Sequence, residues 1–157
     1  MHIQTTKLKR LIALFILCLL TVVACKKDKF TTKPQLEFKR VNTHNVPVGG
    51  LFTFTIAFTD KEGDISDSIW IEEIASTCAA SYTLAHYKIP DFPSKTNEEG
   101  EFSISFVNNQ FIDGYVAWPG PQCQRPDTAI FRFWMRDKAG NFSDTIQVDK
   151  PMVLQSQ

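Results

Sequence analysis

Residues 51–59 set the class of fold. Phe52, Phe54, Ile56 and Phe58 occupy alternate positions, and Thr53, Thr55 and Ala57 fill the gaps. A period of two places the four large apolar groups on one face of an extended strand and the small groups on the other. On a helix the same four would scatter around the axis and leave no stripe to bury. A strand with one apolar face needs a second layer to cover it.

Other segments repeat the pattern. Residues 128–136 alternate, with Ala129, Phe131, Phe133 and Met135 on one face and Ile130, Arg132, Trp134 and Arg136 on the other. Phe102, Ile104 and Phe106 alternate with serines. Residues 35–41 alternate in part, as an outer strand does, and short strands are expected near 82–89 and 115–118. Residues 142–148 read as a return strand ended by Pro151. Gly49-Gly50, residues 60–64, the cluster 97–100, Asn108-Asn109 and residues 137–141 read as turns or loops. The strand from Ile69 towards Ala75 poses a conflict. Turning Ile69 and Ile71 inward carries Glu73 in, and turning Trp70 and Ile74 inward carries Glu72 in. An unpaired buried carboxylate is costly, so a bulge or an early strand end is expected there.

About seven short strands with turns between them predict an all-β, single antiparallel β-sandwich. The thirteen phenylalanines supply its interior. The expected division is a signal segment at 1–24, a tether at 25–33, the sandwich at 34–151 and a loose tail at 152–157.

The N-terminus addresses the chain. Lys7, Lys9 and Arg10 precede an apolar run from Leu11, and no acidic residue lies before Asp28. This is the layout of a secretory signal, and the run is shorter than the roughly 20 residues of a membrane span. Val22-Val23-Ala24-Cys25 resembles the bacterial lipobox. The resemblance implies cleavage after Ala24, diacylglycerol on the Cys25 thiol and acylation of the new amine, which together give stable anchoring. The following Lys26-Lys27-Asp28-Lys29 tail is similar to that of Bacteroidetes lipoproteins. It implies the outer membrane, with the leaflet left open. Loss of Lys7, Lys9 and Arg10 with the signal leaves 133 residues with 14 basic and 17 acidic groups, a formal charge of −3. That balance argues against a nucleic-acid partner, which would want a basic patch.

Of four cysteines, Cys18 leaves with the signal and Cys25 carries lipid. Cys78 and Cys123 remain, and outside the reducing cytosol a disulfide is the natural reading. In a sandwich the third and sixth strands are antiparallel neighbours. Cys78 follows the third and Cys123 precedes the sixth, which sets the two side by side at one pole and the acidic turns at the other.

Two stretches resemble immunoglobulin-like and PKD-like extracellular modules: residues 58–64 (Phe-Thr-Asp-Lys-Glu-Gly-Asp), and residues 135–145 with the Asp137-Lys138-Ala139-Gly140-Asn141 turn of a final hairpin. The resemblance implies the sandwich and no particular activity. Antibody-type domains bridge their second and sixth strands, and no cysteine lies in the second strand here.

Site candidates follow from residue type. Asp60, Glu62, Asp64 and Asp137, with Asp67 and Asn141 nearby, are oxygen ligands suited to a structural Ca²⁺; the alternative is that they are turn formers. No other cofactor is expected. Trp134 and Trp118, with Trp70 and Tyr115, form a candidate aromatic platform for a glycan or peptide, or else pack the sheets; Trp134 lies between Arg132 and Arg136, where cation–π contacts would form. His44 and His86 lie apart with no nucleophile motif beside them, so no catalytic residue is assigned. Asn141-Phe142-Ser143 matches an N-glycan sequon, and Asp67-Ser68-Ile69, Asp127-Thr128-Ala129 and Asp144-Thr145-Ile146 resemble the O-glycosylation motif of exported Bacteroidetes proteins. The expected function is a non-enzymatic, lipid-anchored binding or scaffolding module with a membrane and an envelope protein, peptide or glycan as partners. The alternative is an accessory binding protein of an uptake system.

Overall fold

The computed structural model describes residues 28–93 and 95–157. The signal segment 1–24 and Cys25 lie outside the described residues. Ten strands follow one another: β1 (Gln35–Val41), β2 (Asn45–Val46), β3 (Leu51–Asp60), β4 (Ser68–Ala75), β5 (Thr83–Lys88), β6 (Glu98–Asn108), β7 (Val116–Trp118), β8 (Asp127–Arg136), β9 (Ile146–Gln147) and β10 (Met152–Leu154). One sheet has the order β1-β3-β6-β7. The other has the order β2-β10-β8-β4-β5, with β9 also on β8. The two sheets pack as an all-β sandwich, since each apolar face that the alternation creates needs a second layer to cover it. Strands number ten rather than about seven. β2 with β10 and β6 with β7 are parallel pairs, so the sheets are mixed rather than purely antiparallel.

The expected inward faces are the observed ones. Phe52, Phe54, Ile56, Phe131, Phe133 and Met135 are fully buried. β3 pairs with β6 over its whole length, from Leu51 opposite Val107 to Asp60 opposite Glu98. β4 pairs with β8 from Ser68 opposite Arg136 to Ala75 opposite Ala129. The sandwich therefore has two poles. One carries Asp60, Glu98, Ser68 and Arg136, and the other carries Asn108, Ala75 and Asp127.

Four expectations need correction. The cluster 97–100 is mostly strand, because Glu98 to Gly100 pair with Asp60 to Phe58. Gly100 fits there because a Cβ would press on the Phe58 ring at 2.8 Å. The return strand is interrupted. Phe142 bridges Arg136, β9 pairs briefly with β8, and the chain resumes beyond Pro151, which has no N–H to give. Residues 152–157 are therefore not a loose tail, since Met152 and Leu154 are fully buried in β10. Finally, β4 neither bulges nor stops at Glu73. Ile69, Ile71 and Glu73 all point inward, and the carboxylate is met by the Trp118 indole N–H at 2.5 Å. The partner comes from a strand of the other sheet, so the strand's own sequence could not show it.

Cys78 and Cys123 are bridged, with Cα atoms 5.9 Å apart and a sequence separation of 45. Asp127 accepts the Thr77 amide at 2.9 Å, Arg125 donates to the Thr77 carbonyl at 2.8 Å, and the Gln122 amide donates to Ser81 Oγ at 3.0 Å. A cross-link closing a loop of this size contributes at most about 4 kcal/mol through the unfolded chain. Replacing both cysteines by serine should lower the unfolding free energy in urea by about 2–4 kcal/mol and leave the circular-dichroism spectrum unchanged. An unchanged midpoint would show that the bridge constrains nothing.

Candidate functional site

The acidic turns meet at one pole, as the strand order requires. The Lys138 amide donates to the Asp64 carbonyl at 2.9 Å, and the Ala139 amide to Asp64 Oδ2 at 3.1 Å. One oxygen from each of Asp60, Asp64 and Asp137 lies within 4.8 Å of the others. Asp60 ends β3 and turns inward, and its Oδ2 receives the Gly63 amide at 2.6 Å and the Asp64 amide at 3.3 Å. Gly63 has φ 75°, and a Cβ there would strike the Lys95 carbonyl oxygen at 2.2 Å, so only glycine makes this turn. Burial raises the Asp60 pKa, the two amides pull it back, and the charges of Asp64 and Glu62 add to the rise. Asp137 takes the Asn141 amide at 2.7 Å and its side-chain N–H at 2.8 Å. Glu62 does not join the cluster; it is exposed and accepts the Thr32 hydroxyl at 3.1 Å. Asp67 is taken by Arg136 at 2.5 Å.

The segment expected as a tether packs on this pole. The Lys61 amide donates to the Thr31 carbonyl at 3.2 Å. Gln35 Nε2 donates to the Asp28 carbonyl at 3.1 Å and the Lys29 carbonyl at 3.3 Å. Lys33 pairs with Asp144 at 2.5 Å.

The far pole holds a second pair of acids that sequence reasoning missed as a site. Glu73 and Asp127 are both buried, and each keeps one oxygen without a hydrogen-bond partner in the protein. Burial pushes the Glu73 pKa up to about 7, the Trp118 N–H lowers it, and the Asp127 charge raises it further. The phase conflict in β4 was the one signal of this acid in the sequence. Asn108, read as a strand breaker, is a clamp. Its fully buried amide donates to the carbonyls of Val46 at 3.2 Å, Pro47 at 3.2 Å and Gln155 at 2.9 Å, and so joins β6 to the other sheet.

The aromatic candidates separate. Trp118 is 1% exposed and belongs to the core, packed on Phe106 and Phe131. Trp134 lies half-buried on the outer face of the second sheet. His86, Trp70 and Trp134 are cross-strand neighbours on β5, β4 and β8. Trp70 stacks on His86 at 6.0 Å and on Trp134 at 6.4 Å. Trp70 is therefore flanked by a ring on each side, and Phe142 lies 5.6 Å from it as well. Arg136 lies over Trp70 and Phe142 rather than over Trp134. Tyr115 is exposed in the loop before β7, close in sequence to Phe111. Of the hydroxyls in the three Asp-Ser/Thr motifs only Thr145 is exposed, while Ser68 and Thr128 are half-buried in strands.

A groove of about 410 Å³ opens between the sheets where β5 and β6 face each other, lined by Tyr87, Ile89, Phe102, Ile104, Phe106 and Val116. Among the described residues β5 pairs only with β4, and β6 is open on this side except at Phe106 to Asn108. Two free strand edges thus border an apolar slot. His44 and His86 stand at opposite edges of the second sheet; His44 neighbours β10 and lies 3.7 Å from Asp149.

The raised Glu73 pKa has a definite sign. The folded chain holds this proton up to about pH 7, whereas an unfolded glutamic acid releases it near 4.5. Between those values the native state binds more protons, so its stability falls as pH rises. Glu73→Gln, whose amide oxygen still accepts from Trp118, should remove that loss. The stability difference between variant and wild type should shift by up to about 3 kcal/mol from pH 4 to pH 8 in favour of the variant. Equal slopes in urea titrations across this range would contradict it.

No known protein family matches the chain, and no curated protein does. A solved structure that it resembles is the crystal structure of Spo0M, sporulation control protein, from Bacillus subtilis, with a TM-score of 0.37 and 11% identity. That match covers 75% of this chain and 49% of Spo0M, so the chain spans about half the length of the protein it matches.

Proposed function

We propose that the chain is an outer-membrane lipoprotein whose β-sandwich is a non-enzymatic binding module. The observation that carries the reading is that the ordered body begins within three residues of the lipobox cysteine in sequence. Asp28 and Lys29 are already hydrogen-bonded to Gln35 of β1, so only Lys26 and Lys27 separate the lipid-bearing residue from the body. Such a protein sits against its bilayer with the acidic pole nearest the lipid. The pole with the Cys78–Cys123 bridge then faces away.

The surface best shaped for a partner is the slot between β5 and β6. An extended apolar peptide placed there hydrogen-bonds to a free strand edge and sets alternate side chains into the groove. The central ring of the ladder, Trp70, is flanked by His86, Trp134 and Phe142, which favours a peptide in the slot over a glycan on the ladder.

Mass spectrometry of the protein extracted from membranes tests the anchor. The expected N-terminal peptide begins at Cys25 and carries acyl chains, and an unmodified peptide retaining residues 1–24 would overturn it. Selection from a random peptide library tests the slot. Binders should alternate apolar residues and lose at least tenfold affinity for Ile104→Glu, and equal affinity for that variant would place binding elsewhere.

A further inference from the structure

The acidic pole has a charge problem that the protein does not solve by itself. Asp60 is fully buried, Asp137 is 1% exposed, and Asp64 is half-buried beside them. Asp60 Oδ1 and Asp64 Oδ1 are sealed from solvent and receive no hydrogen bond from any protein group. The amides of Gly63, Asp64 and Ala139 satisfy only the opposite oxygens of these carboxylates. Among the described residues no lysine or arginine pairs with any of the three. Arg136 and Lys138, which flank Asp137 in the chain, are committed elsewhere, Arg136 to Asp67 at 2.5 Å and Lys138 to Asp91 at 3.1 Å. Three carboxylates of one sign with two orphaned oxygens are costly without a counter-charge.

We propose that Asp60, Asp64 and Asp137 bind a divalent cation, Ca²⁺, between the turn after β3 and the turn after β8. The donor set is entirely carboxylate oxygen, with no His or Cys, which suits a hard cation and not zinc. Ca²⁺ holds its ligands at about 2.3–2.6 Å, so oxygens on opposite sides of it stand up to about 5 Å apart. The 4.8 Å limit on the three oxygens falls inside that span. Mg²⁺ holds six ligands at about 2.0–2.1 Å in a strict octahedron and fits a three-carboxylate pocket of this width less well. Water completes the shell on the side of Asp64, the least buried of the three.

The position gives the ion a structural consequence. The turns it joins are those that grip residues 31 and 32. Lys61 donates its amide to the Thr31 carbonyl, Thr32 donates its hydroxyl to Glu62, and Asn141, which also holds Asp137, donates to the Thr32 carbonyl at 3.5 Å. A bound ion therefore locks both turns and, through them, the angle at which the N-terminal segment leaves the body.

Melting of the full chain, purified in detergent, tests the site. Millimolar CaCl₂ should raise Tm above its value in EGTA by about 5 °C or more, and MgCl₂ by less. Asp64→Asn should abolish the Ca²⁺-dependent rise, while its Tm in EGTA stays equal to or above that of the wild type because one repelling charge is gone. A merely turn-forming Asp64 would instead lower Tm equally in both buffers. Equal wild-type midpoints in EGTA and CaCl₂, with no heat on calcium titration, would overturn the proposal. So would a calcium-dependent rise that survives in Asp64→Asn, and a rise with MgCl₂ as large as that with CaCl₂ would overturn the choice of ion.

Discussion

The contact on which the rest of the structure depends is the phenylalanine seam between β3 and β8. Phe54, on one sheet, lies 5.0 Å from Phe131 and 4.9 Å from Phe133 on the other, ring centre to ring centre. Phe52 reaches Phe131 at 5.9 Å, and Trp118 closes the same ring from the β7 side at 5.4 Å. Such aromatic pairs add about 0.5–1.5 kcal/mol each beyond the area they bury. Neither sheet can cover its apolar face without the other, so the seam makes the two layers one body.

The seam also determines where the charged groups fall. With Phe54 set against Phe131 and Phe133, the last residue of β3 is Asp60, and the first residue after β8 is Asp137. Both arrive at the same pole, where neither strand has a further pairing partner. The acid cluster is thus a by-product of register, and the glycine at position 63 is what lets the turn close over it. At the other end the same register brings Glu73 under Trp118 and Asn108 against Gln155, with Asp127 held by Thr77. That far pole is closed by buried polar groups, Glu73 and Asn108, that bond to elements far away in sequence.

Much of this was legible in the residues. The alternation in 51–59 and 128–136 identified both seam strands and their inward faces, because period-two patterning is a local signal that tertiary contacts seldom reverse. The pairing of Cys78 with Cys123 follows from their being the two cysteines left once Cys18 and Cys25 are assigned, and the strand order agrees with it. The parts that were not legible depend on distant partners. Glu73 was expected to break β4, yet it lies inside because an indole from β7 meets it. For Trp118 the sequence leaves ligand platform and core packing both open, because a three-residue strand carries too little pattern to show its facing, and the structure puts it in the core. Residues 152–157 were read as loose because Pro151 is a strong stop signal, whereas here it only interrupts a strand that resumes against Ala129. In the metal candidate, Asp60, Asp64 and Asp137 converge as their turns suggest, and Glu62 does not, because it turns outward to accept the Thr32 hydroxyl.

Native-state hydrogen exchange measures the seam most directly. If the two sheets form one cooperative body, the slowest amides of β3 and of β8 exchange with the same opening free energy, equal to that of global unfolding, and fall together as urea is added. Exchange of one sheet through a smaller opening, while the other stays protected, would contradict the account.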